Sequence, residues 1–110
     1  EVDELESKAF PMMVCEVDGF PVGVGRVHFN SETEAQIRSM AVEEEWRGKG
    51  IGSIVVKELE KIAIENGAKK IILNARDNAV TFYERNGYKI VKPSHTLFGS
   101  IPHFLMEKTV

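Results

Sequence analysis

The chain has one cysteine, four prolines, few aromatic side chains and no surplus of positive charge. Each shortage excludes something. A single Cys15 permits no internal disulfide, so a reducing, intracellular (cytoplasmic) setting is expected. Cys15 lies in the apolar run Met12–Cys15 and reads as a buried thiol ahead of a nucleophile. Lys and Arg number 14 against 17 Asp and Glu, a net charge of -3, and no basic stripe occurs, so nucleic acid is not an expected partner. No apolar run approaches the ~18–20 residues of a membrane helix, so no membrane partner is expected either. Glu1–Glu6 is acidic and lacks the basic region that opens a signal peptide. His28, His95 and His103 show no metal-ligand spacing, and no metal is expected. What remains is a 110-residue chain, 43% apolar and 28% charged, sized for one small domain.

The richest stretch runs from Met40 to Gly52. An apolar strand ends at Val42, a polar turn follows, and glycines stand at 48, 50 and 52 where an amphipathic helix begins. Glycines packed at a helix start leave backbone N–H groups bare, and the helix dipole adds positive potential; together they suit a phosphate or pyrophosphate. Two phosphate motifs fail here. Walker A needs Ser or Thr after Gly-Lys, whereas Gly50 follows Lys49. The dinucleotide fingerprint needs a third glycine where Ser53 stands. A nucleotide-binding module is therefore disfavoured. The pattern that fits is R-x-x-G-x-G, carried by Arg47, Gly50 and Gly52.

A second motif spans Asn78–Tyr88. Ala79, Phe82, Tyr83 and Asn86 share one helical face, Gly87 stands where a left-handed cap is wanted, and Tyr88 opens a strand. Core packing accounts for Phe82 and is the plain reading of Tyr83 as well; a functional reading of Tyr83 rests on the two motifs occurring together.

Periodicity supplies the rest. Strands are expected over 12–17, 22–29, 35–42, 70–74, 88–92 and 103–108, and helices over 50–66 and 78–86. In the long helix Ile51, Ile54, Val55, Leu59, Ile62 and Ala63 form the apolar stripe; Lys57, Glu58, Glu60 and Lys61 are expected to face water. The glycines of strand 22–29 suggest a bulge or a close neighbour. Strand 35–42, the long helix and strand 70–74 form a β-α-β unit, expected to be parallel and right-handed. Residues 1–10 read as an acidic tail or frayed helix, and residues 1–110 as a single domain.

Both motifs, and the element order from Pro11 to Val110, resemble the GNAT (GCN5-related) acyl-CoA N-acyltransferases. The segment Ser100–Lys108, with its Ile-Pro-His, looks like the ElaA-like branch of that family. The resemblance implies an α+β GNAT fold, with a mixed central sheet and a β-α-β unit. It implies an N-acetyltransferase that moves acetyl from acetyl-CoA, as co-substrate, directly to a primary amine of a small molecule or peptide. The alternative is a non-catalytic CoA-binding domain serving as a regulatory or assembly subunit. By the same resemblance Met40, Ala41 and Val42 would pair with the pantetheine arm. Arg47, Gly48, Lys49, Gly50, Ile51, Gly52 and Ser53 would hold the pyrophosphate, and Tyr83 would be the general acid. A phenol near its ordinary pKa of ~10 keeps its proton at neutral pH and can give it to a thiolate whose thiol titrates near ~8.5.

Two departures are visible. Family members usually begin with a strand and one or two helices that wall the acceptor pocket, whereas ten residues precede Pro11 here. The fold is thus expected to be N-terminally shortened, with a pocket left open or completed by another subunit, and a homodimer through the edge near Met12–Val17 is one expected arrangement. Arg76 stands where many members have Asn, and suits a phosphate, an acidic acceptor or plain solvent. No base is assigned; His28, Glu32 and Glu34 are the candidates.

Overall fold

The computed structural model describes residues 13–17, 19–94 and 102–110, with side chains described from residue 19 onward and Ser39 left aside. The acidic segment 1–10, Met12, the side chain of Cys15, and most of the loop before the last strand lie outside the described residues.

Six strands form one sheet. They are β1 (Met13–Val17), β2 (Phe20–Phe29), β3 (Glu34–Val42), β4 (Lys70–Arg76), β5 (Lys89–Pro93) and β6 (His103–Thr109), ordered β1-β2-β3-β4-β6-β5. Helix α1 (Ile51–Glu65) connects β3 to β4, and helix α2 (Val80–Arg85) follows β4 after a single 3-10 turn at Asp77–Ala79. The β3–β4 pair is parallel, as a helical crossover requires, and the other neighbouring pairs are antiparallel.

α1 forms because its apolar residues recur at helical spacing. Val55, Val56, Leu59 and Ala63 are buried against the sheet. Gly25 makes room for them: a Cβ there would lie 2.8 Å from Leu59 Cδ1, Met40 Sδ and Val55 Cγ1. Gly25 of β2 thus marks a close neighbour, one of the two readings of the pattern. Ile54 departs from the expected stripe and is 51% exposed. It lies ~100° around the helix from Val55, which turns it off the sheet. Glu60 departs in the opposite sense. It was expected in water, yet it is 7% exposed and hydrogen-bonded to Tyr88 and Lys108.

Along β4, Ile71, Leu73 and Ala75 are buried and Ile72 is half-buried, so its continuous apolar centre is covered more fully on one face than on the other. The second helix is shorter than expected, because residues 77–79 wind as 3-10 rather than α.

Candidate active site

The parallel ladder between β3 and β4 holds only Glu34 to Lys70, Ala35 to Ile71 and Gln36 to Ile72. Beyond Gln36 the strands separate. β4 stays paired with β6 up to Arg76, and β3 stays paired with β2 up to Val42. The facing backbone edges of the two strands therefore have no strand partner over their last residues. An extended chain carrying amides could lie in that slot and complete a ladder on either side.

A local irregularity adds to this. β2 advances from Val24 to Arg26 while β3 goes from Ala41 to Arg38, so β3 carries one extra residue there. A bulge turns a backbone group out of the regular ladder. It sits directly beside Met40.

At the open end of the slot is a cavity of about 610 Å³, within the usual range for small-molecule sites. From the N-terminal side it is lined by Met40, Ala41, Val42, Arg47, Gly48, Gly50, Gly52 and Ser53. Gly50 has φ +85°, a left-handed conformation that aims the chain into α1 and disfavours any side chain. No side chain caps α1, and no acidic residue occupies its first turn. The N–H groups of its first residues are left for a ligand, and the dipole favours an anion.

Arg47 donates from Nε to the Val42 carbonyl at 3.2 Å. That bond pins the loop to the end of β3 and leaves the remaining guanidinium hydrogens for the cavity. Two residues of the expected pyrophosphate set stand apart by their side chains. Lys49 lies over the Trp46 ring, 5.6 Å from its centroid, and Ile51 packs into the core.

The other wall comes from the second motif. Ala79, Phe82, Tyr83 and Asn86, the face read from sequence, all line the cavity. Phe82 was read as packing alone. It does pack, since a Cβ on Gly52 would come within 3.0 Å of its Cζ, but it also forms cavity wall. Arg76, Asn78 and Arg85 line the cavity as well and were not among the expected cofactor residues. The signal for Arg85 was its place one turn after Phe82. For Arg76 the signal was its position at the end of a strand; continuing the β3–β4 register brings it level with Met40.

Tyr83 is 8% exposed. Its ring stands edge-on to Phe82 and to Tyr88, with centroids 4.9 and 6.0 Å away. Burial pushes its phenol up to about 12. The expectation of an unperturbed phenol is thus corrected: Tyr83 holds its proton more firmly and is a weaker acid. Among the described residues nothing accepts a hydrogen bond from its hydroxyl.

The three candidate bases lie elsewhere. His28 pairs in register with Gln36, about 13 Å along β3 from Met40, and Glu34 lies about 20 Å from it. Asn30 bonds to both His28 and Glu34, Lys70 pairs with Glu34, and Glu32 is exposed in the same turn. None of the three lines the cavity. Among the described residues no cluster of His, Cys, Asp or Glu could hold a metal ion, and no helix is long and apolar enough to cross a membrane.

A splayed parallel pair, a glycine loop opening a helix and a tyrosine helix thus meet at one cavity, which suits an extended donor that ends in phosphate. Residues 2–88 match the acetyltransferase (GNAT) family, and the chain belongs to it. Over 108 residues it is 36% identical to the uncharacterized N-acetyltransferase YjcF of Bacillus subtilis (strain 168), covering 98% of this chain and 76% of that protein. The crystal structure of Ard1 from Thermoplasma volcanium superposes with a TM-score of 0.85 at 28% identity, covering 99% of this chain and 77% of Ard1. An aminoglycoside 6'-N-acetyltransferase complexed with coenzyme A shares the fold, with a TM-score of 0.80 at 23% identity over 98% of this chain and 77% of that one.

Proposed function

We propose that this chain, as a single domain, transfers the acetyl group of acetyl-CoA directly to a primary amine of a small molecule or peptide. The observation that carries the proposal is the slot between β3 and β4, with open backbone edges leading to a glycine loop at one cavity. Pantetheine is an extended chain with two amides and fits an unpaired strand edge. In this reading Met40, Ala41 and Val42 bind it, and a backbone N–H beside the bulge receives the thioester oxygen as charge develops there. The stretch holds no proline, so no N–H is missing from the edge of β3 that faces the slot, the alternate ones being taken by β2. The N–H groups over Gly48–Ser53 take the pyrophosphate, assisted by the Arg47 guanidinium, while the Arg47 N–H stays on the Glu44 carbonyl at 3.3 Å. Arg76 and Arg85 add positive charge to the same cavity.

In the reaction the amine nitrogen forms a bond to the thioester carbon, and the carbon–sulfur bond breaks. The amine loses a proton and the departing sulfur gains one. Tyr83 is the proposed donor to that sulfur. Its raised pKa keeps it protonated at any physiological pH. It also makes outright transfer to a thiolate uphill, so donation must proceed together with cleavage rather than after it. The nitrogen's proton passes to water, and the Tyr83 phenolate takes a proton back from water.

We further propose that β1, an edge strand among the described residues, pairs with a second copy, and that the protein works in the cytoplasm. The mass in solution tests the pairing; a monomer at high concentration refutes it.

The decisive experiment has two arms. Calorimetry with acetyl-CoA should give micromolar binding that Gly50→Glu/Gly52→Glu abolishes. Incubation with acetyl-CoA and a panel of primary amines (amino acids, polyamines, arylalkylamines and a peptide with a free N-terminus) should release CoA and yield an acetylated product by mass spectrometry. Binding without product on any amine would favour the non-catalytic reading; no binding would refute both.

A further inference from the structure

The six residues of α2 are far fewer than the ~12–15 an isolated helix needs to persist, so the direction of Tyr83 must come from contacts made around it. Those contacts converge on the three residues just after the helix. The Asn86 side-chain amide donates to the Phe82 carbonyl at 3.0 Å and to Ser53 Oγ at 3.3 Å, which ties the end of α2 to the first turn of α1. The Asn86 carbonyl accepts from Lys108 Nζ, on β6, at 3.0 Å. The stem of Lys108 lies against Gly87, where a Cβ would come 3.1 Å from Lys108 Cε. Its ammonium sits 5.6 Å from the centroid of the Tyr88 ring.

Glu60, on α1, holds this lysine in place. Its carboxylate oxygens lie 3.2 and 3.1 Å from Lys108 Nζ, and one of them also accepts the Tyr88 hydroxyl at 2.9 Å. Tyr88 in turn packs edge-on to Tyr83, and its backbone N–H donates to the Tyr83 carbonyl at 3.0 Å. Glu60 is 7% exposed. A buried ion pair is weak as a stabilising device, since apolar side chains of similar volume often fill such a space as well or better. What hydrogen bonds of fixed direction supply, and apolar packing does not, is a single orientation for the groups they touch.

We propose that Lys108, held by Glu60, is a positioning residue for the proton donor: through the Asn86 carbonyl and the Tyr88 ring it fixes where the Tyr83 hydroxyl points in the cavity. Neither residue lines the cavity or touches a substrate. The proposal rests on the donor role given to Tyr83. It explains why a carboxylate from α1, a lysine from the last strand and a tyrosine after α2 meet where Glu60 and Tyr88 are buried and Lys108 is partly so. A misplacement of the donor by about 1 Å can slow the reaction by roughly a hundredfold without weakening binding of the acyl donor.

The test is a double-mutant cycle, read with acetyl-CoA and the best amine of the panel above. Lys108→Met is expected to lower kcat about ten- to a hundredfold while leaving the KM for acetyl-CoA within about twofold. In a Tyr83→Phe background the same substitution should lower kcat no further, because the group it positions is gone. An equal loss in both backgrounds, or no loss in the parent, overturns the proposal. Should Lys108→Met fail to fold, Glu60→Gln/Lys108→Met removes the pair without stranding a charge. Misfolding of that variant too would assign the pair to the core alone and overturn a positioning role. An unchanged kcat in Tyr83→Phe itself would refute the donor, and with it the positioning. Absence of any acetylated amine would instead refute the enzyme reading.

Discussion

Removing one oxygen, in Tyr83→Phe, tests the chemistry most directly. Positioned general acids contribute roughly 10²–10⁴-fold. Burial raises the Tyr83 phenol to about 12, two units weaker than an ordinary tyrosine. With a Brønsted slope near one half, two units of lost acidity reduce the rate about tenfold, which places this donor at the low end of the range. The expected loss in kcat is therefore about a hundredfold, or ~2.7 kcal/mol of activation free energy. The KM for acetyl-CoA should stay within about twofold. The fold should not suffer, because the hydroxyl has no hydrogen-bond partner among the described residues and the ring's contacts with Phe82 and Tyr88 survive. The melting temperature at pH 7 is expected to be unchanged or slightly raised. Alkaline pH provides a second readout. The unfolded phenol loses its proton near pH ~10, while the folded one keeps it to about 12. Stability from this group is thus full below pH ~10 and falls as pH rises toward 12, by about 3 kcal/mol in total. Tyr83→Phe removes that slope and should resist alkaline unfolding better than the parent. Stopped-assay kinetics and melting curves across pH 7–12 measure both effects. A kcat within about threefold of the parent refutes the donor role; an unchanged alkaline midpoint refutes the account of its burial.

Arg47→Ala should weaken acetyl-CoA binding about tenfold at low salt and less at high salt, because it removes a charge from the cavity as well as the 3.2 Å bond to Val42; calorimetry at two ionic strengths measures this. Gly25→Val should destabilise the fold by about 1–3 kcal/mol, since its first carbon alone would meet Leu59, Met40 and Val55 at 2.8 Å; urea unfolding checks it, and an unchanged midpoint would contradict that packing. The His28 pKa is lowered, first by burial and then by Arg38, so the unfolded chain takes up this proton before the folded one does as pH falls. Stability is therefore complete above pH ~6.5 and declines below it, and His28→Gln should flatten that acid slope in melting curves from pH 7 to 5.

By itself the sequence determined the local pieces: the α1 stripe, the glycine loop, the Ala79–Phe82–Tyr83–Asn86 face, and the alternation of strands around them. These are legible because each depends on neighbours within a turn or two, through helical periodicity and the conformational freedom of glycine. The tertiary structure alone decided three other things. The separation of β3 from β4 after Gln36 makes the slot, and it depends on which strand each edge finds as a partner. The weakened acidity of Tyr83 arises from the rings and chain packed around it, not from its motif. Glu60 stands beside lysines and glutamates that do face water and reads as one of them. Its partner Lys108 is 48 residues away, and only the assembled sheet with α1 laid across it brings the two charges together, with Glu60 buried and Lys108 partly so.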